Sequence, residues 1–179
     1  MYNIRALFSS DLVSLENLLL RHKDSSIFLR ENLQRSGIQG GVMRSQGTYV
    51  GAFDNTELTD VAAHYGDNNV ILQSPNYPGE IAEALVGLSA RPVNGVLGPW
   101  EQVKQAKEVL NLDPHRLGKV VPEYLYKLDL MSFTLPPRCR EAGINCRLAN
   151  YRDLNTLVSW RRVYDRITIG FSENSIKDP

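Results

Sequence analysis

One short pattern occurs twice in this chain, and it restricts the fold more than any other feature of the sequence. Residues 4–15 read IRALFSSDLVSL, and residues 146–157 read CRLANYRDLNTL. Arginine, aspartate and two leucines recur at the same spacing, R-x5-D-L-x2-L, 142 positions apart. Each copy is typical of a short strand followed by a capped amphipathic helix. Because a strand and a helix cannot bury a core alone, we expect one nearly complete domain followed by the truncated start of a sibling domain.

The composition is that of an ordinary globular protein. Of 179 residues, 42% are hydrophobic and 22% are charged, and 20 basic side chains balance 20 acidic ones. This balance predicts no basic surface for nucleic acid or for an anionic membrane. No apolar run approaches the roughly 20 residues that span a bilayer, and the N-terminal sequence does not resemble a secretory leader, so we expect a cytoplasmic protein. Cys139 and Cys146 predict neither a disulfide framework nor a metal site.

Hydrophobic periodicity predicts the order of the secondary-structure elements. Strand-like patterns lie at residues 2–8, 47–53, 58–65, 70–73, 93–97 and 124–130. Helix-like stripes lie at residues 11–22, 26–36, 81–88 and 100–110. The order mixes hairpins with crossover connections. It therefore predicts an α/β (α+β) fold with a mixed, mostly antiparallel central sheet flanked by helices.

The region after the last predicted strand divides the chain. Residues 124–130 alternate apolar and mostly charged side chains, which places Tyr124 and Tyr126 on the apolar face of that strand. The tandem prolines at 136 and 137 stop both helix and sheet. We therefore predict a first domain at residues 1–135, a linker at 136–145 and a truncated second domain at 146–179.

The element order and several short motifs resemble the GNAT superfamily of N-acetyltransferases. The motifs that carry the resemblance are IR at 4–5 with DL at 11–12, SSIFLRENL at 25–33, YVGAF at 49–53 and VLGP at 96–99. The second start, residues 147–170, resembles the opening of the catalytic half of a tandem member. The chain is thus similar, over nearly its whole length, to the N-terminal half of such a protein.

This resemblance implies a place for acetyl-coenzyme A. The superfamily holds the coenzyme between two splayed parallel strands, and backbone amides at the start of the following helix bind its pyrophosphate. The superfamily signature Q/R-x-x-G-x-G/A corresponds here to residues 73–78, QSPNYP. The candidate cofactor-binding residues are therefore Gln73, Asn76, Tyr77 and Gly79.

The same stretch also has a simpler interpretation, which we favour. Asn76 and Pro78 stand where the signature has small residues, and Pro75 and Pro78 lack amide donors. Pro78 and Gly79 are equally typical of a strand-to-helix turn, and Glu80 would stabilise the dipole of the helix that follows. No residue is assigned as the catalytic base or acid, although His64 lies near the end of a strand where acceptor groups can bind in this superfamily.

The leading hypothesis is a non-catalytic N-terminal domain. Its parent would transfer an acetyl group from acetyl-coenzyme A to an amine, and this chain itself would need no cofactor. Trp160, Tyr164 and Ile167 form an apolar stripe at i, i+4 and i+7, which predicts packing against a missing C-terminal domain or against a second copy in a homodimer. One alternative is therefore a stand-alone interaction or regulatory module that dimerises through its last helix. Another is an active acyltransferase with a divergent loop.

Overall fold

A computed structural model of the protein describes residues 2–38, 40–113, 115, 118, 120–141 and 147–169. The chain divides into two units, Met1–Pro114 and His115–Pro179. Within the described residues, no helix combines the length and the apolar character needed to cross a bilayer. Cys146 and residues 170–179, which belong to the predicted second domain, lie outside the described residues.

The first unit contains a five-stranded sheet with helices packed on it. The strands are Tyr2–Ala6 (β1), Gly47–Asp54 (β2), Glu57–Tyr65 (β3), Asn69–Gln73 (β4) and Gly95–Leu97 (β5). The helices are Leu12–Arg21 (α1), Ile27–Ser36 (α2), Pro78–Ser89 (α3) and Trp100–Val109 (α4), and a 3-10 turn at Ser9–Asp11 leads into α1. The predicted fold class, a mixed and mostly antiparallel sheet flanked by helices, is confirmed.

The strands follow one another across the sheet in the order β1-β2-β3-β4-β5. The first four run antiparallel, whereas β4 and β5 are parallel and are joined by the crossover through α3. The register between β2 and β3 shifts beside Ala52, which faces Asp60, while Phe53 faces Leu58. Thr59 is therefore an extra residue in β3, a bulge of the kind that redirects neighbouring side chains.

Both faces of the sheet are covered, and each face has its own core. Helices α1 and α2 pack on one face, where Leu15, Leu29 and Val61 are fully buried. Helices α3 and α4 pack on the other, where Ala62 and Ile81 are fully buried. Adjacent residues of a strand point to opposite faces, so a strand buried on both faces has a nearly continuous apolar sequence. This explains why β3 does not alternate apolar and polar residues after its bulge.

The second unit has short helical elements. They are Pro137–Glu141 (α5), a 3-10 turn at Tyr151–Asp153, Leu154–Tyr164 (α6) and a π-turn at Asp165–Ile169. The helix α5 begins inside the segment predicted to be a linker.

The strand predicted at residues 124–130 is wrong. Residues 124–130 are irregular, and Tyr124 and Tyr126 are 84% and 87% exposed rather than buried in a core. The strand expected at the start of the second copy is described only at residues 147–150, which are irregular. An alternating pattern becomes a strand only where a neighbouring strand supplies hydrogen-bond partners, and the described part of this unit contains no other strand.

Candidate functional site

The start of α3 surrounds a fully buried carboxylate, that of Asp60 on β3. Its Oδ1 accepts hydrogen bonds from the Ser74 hydroxyl at 2.8 Å and from the backbone amides of Asn76 at 2.8 Å and Tyr77 at 3.1 Å. Its Oδ2 accepts from the Asn76 side-chain amide at 3.0 Å and from the Thr59 hydroxyl at 2.7 Å. The bulge at Thr59 thus lies directly beside the strand residue that reaches α3.

These donors keep the carboxylate ionised. Burial acts to raise the pKa of Asp60, but the hydrogen bonds from Thr59, Asn76 and Ser74 outweigh it and hold the pKa below its usual value. A helix N-terminus offers its free amides and positive dipole end to an anion. Here the protein supplies that anion itself.

The structure separates the four residues predicted to bind a cofactor. Asn76 and Tyr77 lie together at the start of α3 and direct their amides at Asp60. The Tyr77 ring stacks on the ring of Tyr2, with centroids 4.1 Å apart. Gly79 is buried against α4, where an added Cβ would lie 2.6 Å from the Val109 Cγ2 atom. Its missing side chain therefore allows α3 and α4 to pack closely.

Gln73 lies on the opposite face of the sheet. Its side chain is buried, and its Oε1 accepts hydrogen bonds from the hydroxyls of Ser25 at 2.6 Å and Ser26 at 3.4 Å. Ser26 immediately precedes α2, and its side chain makes no capping hydrogen bond to that helix. Gln73 therefore anchors the start of α2 and does not reach the amides at the start of α3.

The parallel strands β4 and β5 pair only from Asn69 opposite Gly95 to Ile71 opposite Leu97. Beyond that point β4 meets α4 instead. The Ser74 amide donates to Gln102 Oε1 at 2.8 Å, so a side chain of α4 takes the backbone donor that follows β4.

Sequence reasoning missed both Asp60 and Gln102. A carboxylate within the otherwise apolar run of β3 was a signal for Asp60, because a buried charge requires hydrogen-bond partners. Gln102 had no comparable signal on its amphipathic helix. Among the residues that the structure describes, no three His, Cys, Asp or Glu side chains come together as metal ligands would.

Both copies of the repeated pattern form the same local contacts. Arg5 makes a two-pronged ion pair with Asp11, at 2.8 and 2.7 Å, and Arg147 makes the same pair with Asp153, at 2.7 and 2.8 Å. In each copy the aspartate also accepts the backbone amide three residues before it at 2.9 Å. We call this arrangement the Arg–Asp clip. In both clips the arginine holds the pKa of the aspartate below its usual value.

The two clips differ in what surrounds them. In the first copy Leu15 and Leu18 of α1 are buried in the core. Their counterparts in α6 are Leu157, which is 41% exposed, and Trp160, which is 67% exposed. The predicted stripe of Trp160, Tyr164 and Ile167 is exposed along its length.

Comparisons of the chain with protein-family models, with curated proteins and with solved structures found no match. The superfamily resemblance drawn from the sequence therefore stays a prediction.

Proposed function

We propose that the first unit is a non-catalytic, acetyltransferase-like domain in which Asp60 occupies the place of a coenzyme pyrophosphate. The observation that carries this proposal is the pair of hydrogen bonds from the amides of Asn76 and Tyr77 to the Asp60 carboxylate, at 2.8 and 3.1 Å. A phosphate bound at a helix N-terminus needs such amides as donors. In this unit they already have an acceptor.

Charge at the same place also opposes a phosphate. The Asp60 carboxylate is buried and stays ionised because its pKa is lowered, and Glu80 adds a second carboxylate in the first turn of α3. The buried charge of Asp60 would repel a neighbouring anion strongly, whereas Glu80 is exposed to solvent and contributes less. Pro75 and Pro78 carry no amide hydrogen that could compensate.

The contact between Ser74 and Gln102 blocks the other part of the expected coenzyme site. A coenzyme arm lying beside the end of β4 would have to break the 2.8 Å hydrogen bond from the Ser74 amide to Gln102 Oε1. Displacing a buried bond without a replacement partner costs about 1–3 kcal/mol. The phosphate end and the strand end of the site are thus both occupied by the protein's own side chains.

On this proposal the chemistry belongs to a sibling domain, whose opening is the second copy of the repeated pattern. There a base would take the proton of the ammonium form, and the free amine would attack the thioester carbonyl of acetyl-coenzyme A. The C–N bond would form as the C–S bond breaks, and coenzyme A would leave as a thiolate that takes up a proton. The first unit would support that domain or its substrate pocket. The identical Arg–Asp clips support this duplication.

Titration of the full chain with acetyl-coenzyme A in a calorimeter tests the non-catalytic part of the proposal. We expect no saturable heat, because the amides of Asn76 and Tyr77 already donate to Asp60 and the charge of that carboxylate opposes a phosphate. Free coenzyme A and inorganic diphosphate serve as control ligands and should also give none. Saturable binding of acetyl-coenzyme A in the micromolar range would overturn this part.

A second candidate function is a module that dimerises through α6. The exposed apolar side chains of Trp160, Tyr164 and Ile167 favour it, because an apolar stripe of this kind is ordinarily covered by a partner. Size-exclusion chromatography with light scattering should then show a dimer for the full chain. A monomer is expected both for a chain ending at Pro137 and for the double variant Trp160→Ala/Tyr164→Ala. A full chain that stays monomeric would rule this candidate out.

A further inference from the structure

The His64 side chain fastens the end of α3 and the connection to β5 onto the sheet. The imidazole is fully buried on β3. Its Nδ1 lies 2.7 Å from the Ser89 hydroxyl at the end of α3, and its Nε2 lies 3.2 Å from the Pro92 carbonyl oxygen. A neutral ring with its hydrogen on Nε2 donates to Pro92 and accepts the single hydrogen of the Ser89 hydroxyl. The alternative acceptor for that hydrogen is the Val86 carbonyl oxygen, which is farther away at 3.3 Å.

The backbone between Ser89 and Pro92 is held by tertiary contacts. Ala90 adopts a left-handed conformation with φ of 49°, which residues other than glycine rarely adopt without support from their surroundings. The guanidinium of Arg91 donates to the His64 carbonyl and, at 3.5 Å, to the Gly41 carbonyl. His64 therefore lies at the centre of the contacts that keep this connection in place.

The strand β5 depends on this connection because its own pairing is short. Only three residue pairs join it to β4, and it is the last strand in the sheet order. Asn94 adds two further hydrogen bonds, from its backbone amide to the Asn68 carbonyl at 2.8 Å and from its exposed side-chain amide to the Asp67 carbonyl at 3.2 Å. Short edge strands with exposed hydrogen bonds belong to the least stable parts of a fold.

Protonation of His64 would place a cation inside this arrangement. Arg91 faces the ring from the connection, and Asp67 faces it from the turn between β3 and β4. Arg44, from the loop before β2, pairs with Asp67 at 3.4 Å and reduces its effect. Burial, followed by Arg91, lowers the pKa of His64, while the backbone of Pro92 and of Asn68 and then the charge of Asp67 oppose them only in part. On the α3 side the imidazole meets the neutral hydroxyl of Ser89.

We propose that His64 is an acid-sensitive latch that releases β5 and the connection before it from the sheet. In the latched form the ring is neutral, whereas in the released form it is solvated and takes up a proton near its usual pKa of about 6.5. Acid therefore favours release. Linkage predicts that the release equilibrium rises about tenfold for each pH unit below about 6.5, until the latched ring itself titrates. Release does not depend on coenzyme binding.

Hydrogen exchange of the full chain, measured by mass spectrometry at about pH 7 and about pH 5, tests the latch. After correction for the intrinsic pH dependence, we expect protection in peptides covering residues 90–97 to fall at least tenfold at the lower pH. Peptides covering residues 49–53, in the middle of the sheet, should keep theirs. Equal protection of residues 90–97 at both pH values would overturn the proposal.

Three variants distinguish the charge of the ring from its hydrogen bonds. His64→Gln keeps a donor and an acceptor but cannot titrate, so the pH dependence of protection at residues 90–97 should disappear. His22→Gln, at the end of α1, is the matched control and should retain it. Ser89→Ala loses one hydrogen bond but keeps the titrating ring, so protection should fall at both pH values while the pH dependence persists. Loss of the pH dependence in Ser89→Ala, or its persistence in a folded His64→Gln, would contradict the latch.

Discussion

At the scale of single residues, Asp60 shows how a buried charge becomes part of a fold. An isolated carboxylate in a protein interior is unfavourable, because it loses its hydration. Asp60 recovers that loss through hydrogen bonds from two side-chain hydroxyls, two backbone amides and one side-chain amide. Since these amides belong to Tyr77, the residue just before α3, and to its neighbour Asn76, the carboxylate lies at the positive end of the helix dipole and stabilises it.

Replacement of this carboxylate should be strongly destabilising. We expect Asp60→Asn to lower the free energy of unfolding by about 3 kcal/mol, because the new side-chain amide brings its own hydrogens towards existing donors. Urea unfolding followed by circular dichroism measures the loss. Asp54→Asn, an exposed carboxylate at the end of β2, is the matched control and should change little. Equal effects of the two substitutions would contradict the role assigned to Asp60.

The same variant should alter the response to acid. The folded state holds the pKa of Asp60 below its usual value, so the unfolded state binds the proton first. The stabilisation by the ionised carboxylate is therefore complete above about pH 4 and is lost as the pH falls through the folded pKa. The free energy of unfolding of Asp60→Asn should fall less steeply with acid than that of the wild type. If the free energies of unfolding of the two proteins fell in parallel with pH, Asp60 would not titrate as inferred.

At the scale of elements, the Arg–Asp clip forms from sequence neighbours. Arg5 also contacts a distant residue, since its guanidinium lies 4.2 Å from the centre of the Phe53 ring. The arginine and the aspartate are six positions apart, however, and in both copies the hydrogen bonds of the clip stay within one short segment. The clip can therefore form whether or not a core surrounds it. This explains why the sequence pattern predicted the turn and the helix of the second copy, although their apolar residues remain exposed.

The two clips provide a matched pair of substitutions within one chain. Asp11→Asn should lower the free energy of unfolding by about 1–2 kcal/mol, because it removes a charged acceptor from a helix that packs against the core. Asp153→Asn should cause no measurable change, because the second ion pair is exposed and screened by solvent. Urea unfolding of both variants checks this difference. An equal loss would mean that the second clip also supports a packed core.

The elements also show where periodicity is a sufficient signal. The patterns of α1 and of the β2–β3 hairpin predicted real elements, because their apolar faces meet on the sheet. The pattern at residues 124–130 was just as regular, yet Tyr124 and Tyr126 are exposed. Periodicity shows which face of a segment is apolar. That face becomes buried only where a second strand or helix packs against it.

At the scale of the whole molecule, the buried apolar residues are concentrated in the first unit. Both core clusters lie within it, one on each face of the sheet. The described part of the second unit contributes no residue to either cluster. The first unit thus contains the sheet, the Asp60 site and the His64 latch, whereas the second presents the exposed stripe on α6.

The sequence by itself determined the properties that depend on local order. These are the succession of strands and helices in the first unit, its mixed and mostly antiparallel sheet, and the pattern repeated in the two clips, because periodicity and short spacings encode them directly. Only the tertiary structure decided that Asp60 reaches the amides of Asn76, that Gln102 takes the amide of Ser74, and that His64 meets Ser89. Those partners are 16, 28 and 25 residues apart, and what joins them is a bulge and the packing of two helices on a sheet. Contacts between distant residues exist only once the chain has folded. No pattern around one residue of such a pair therefore identifies its partner in the sequence.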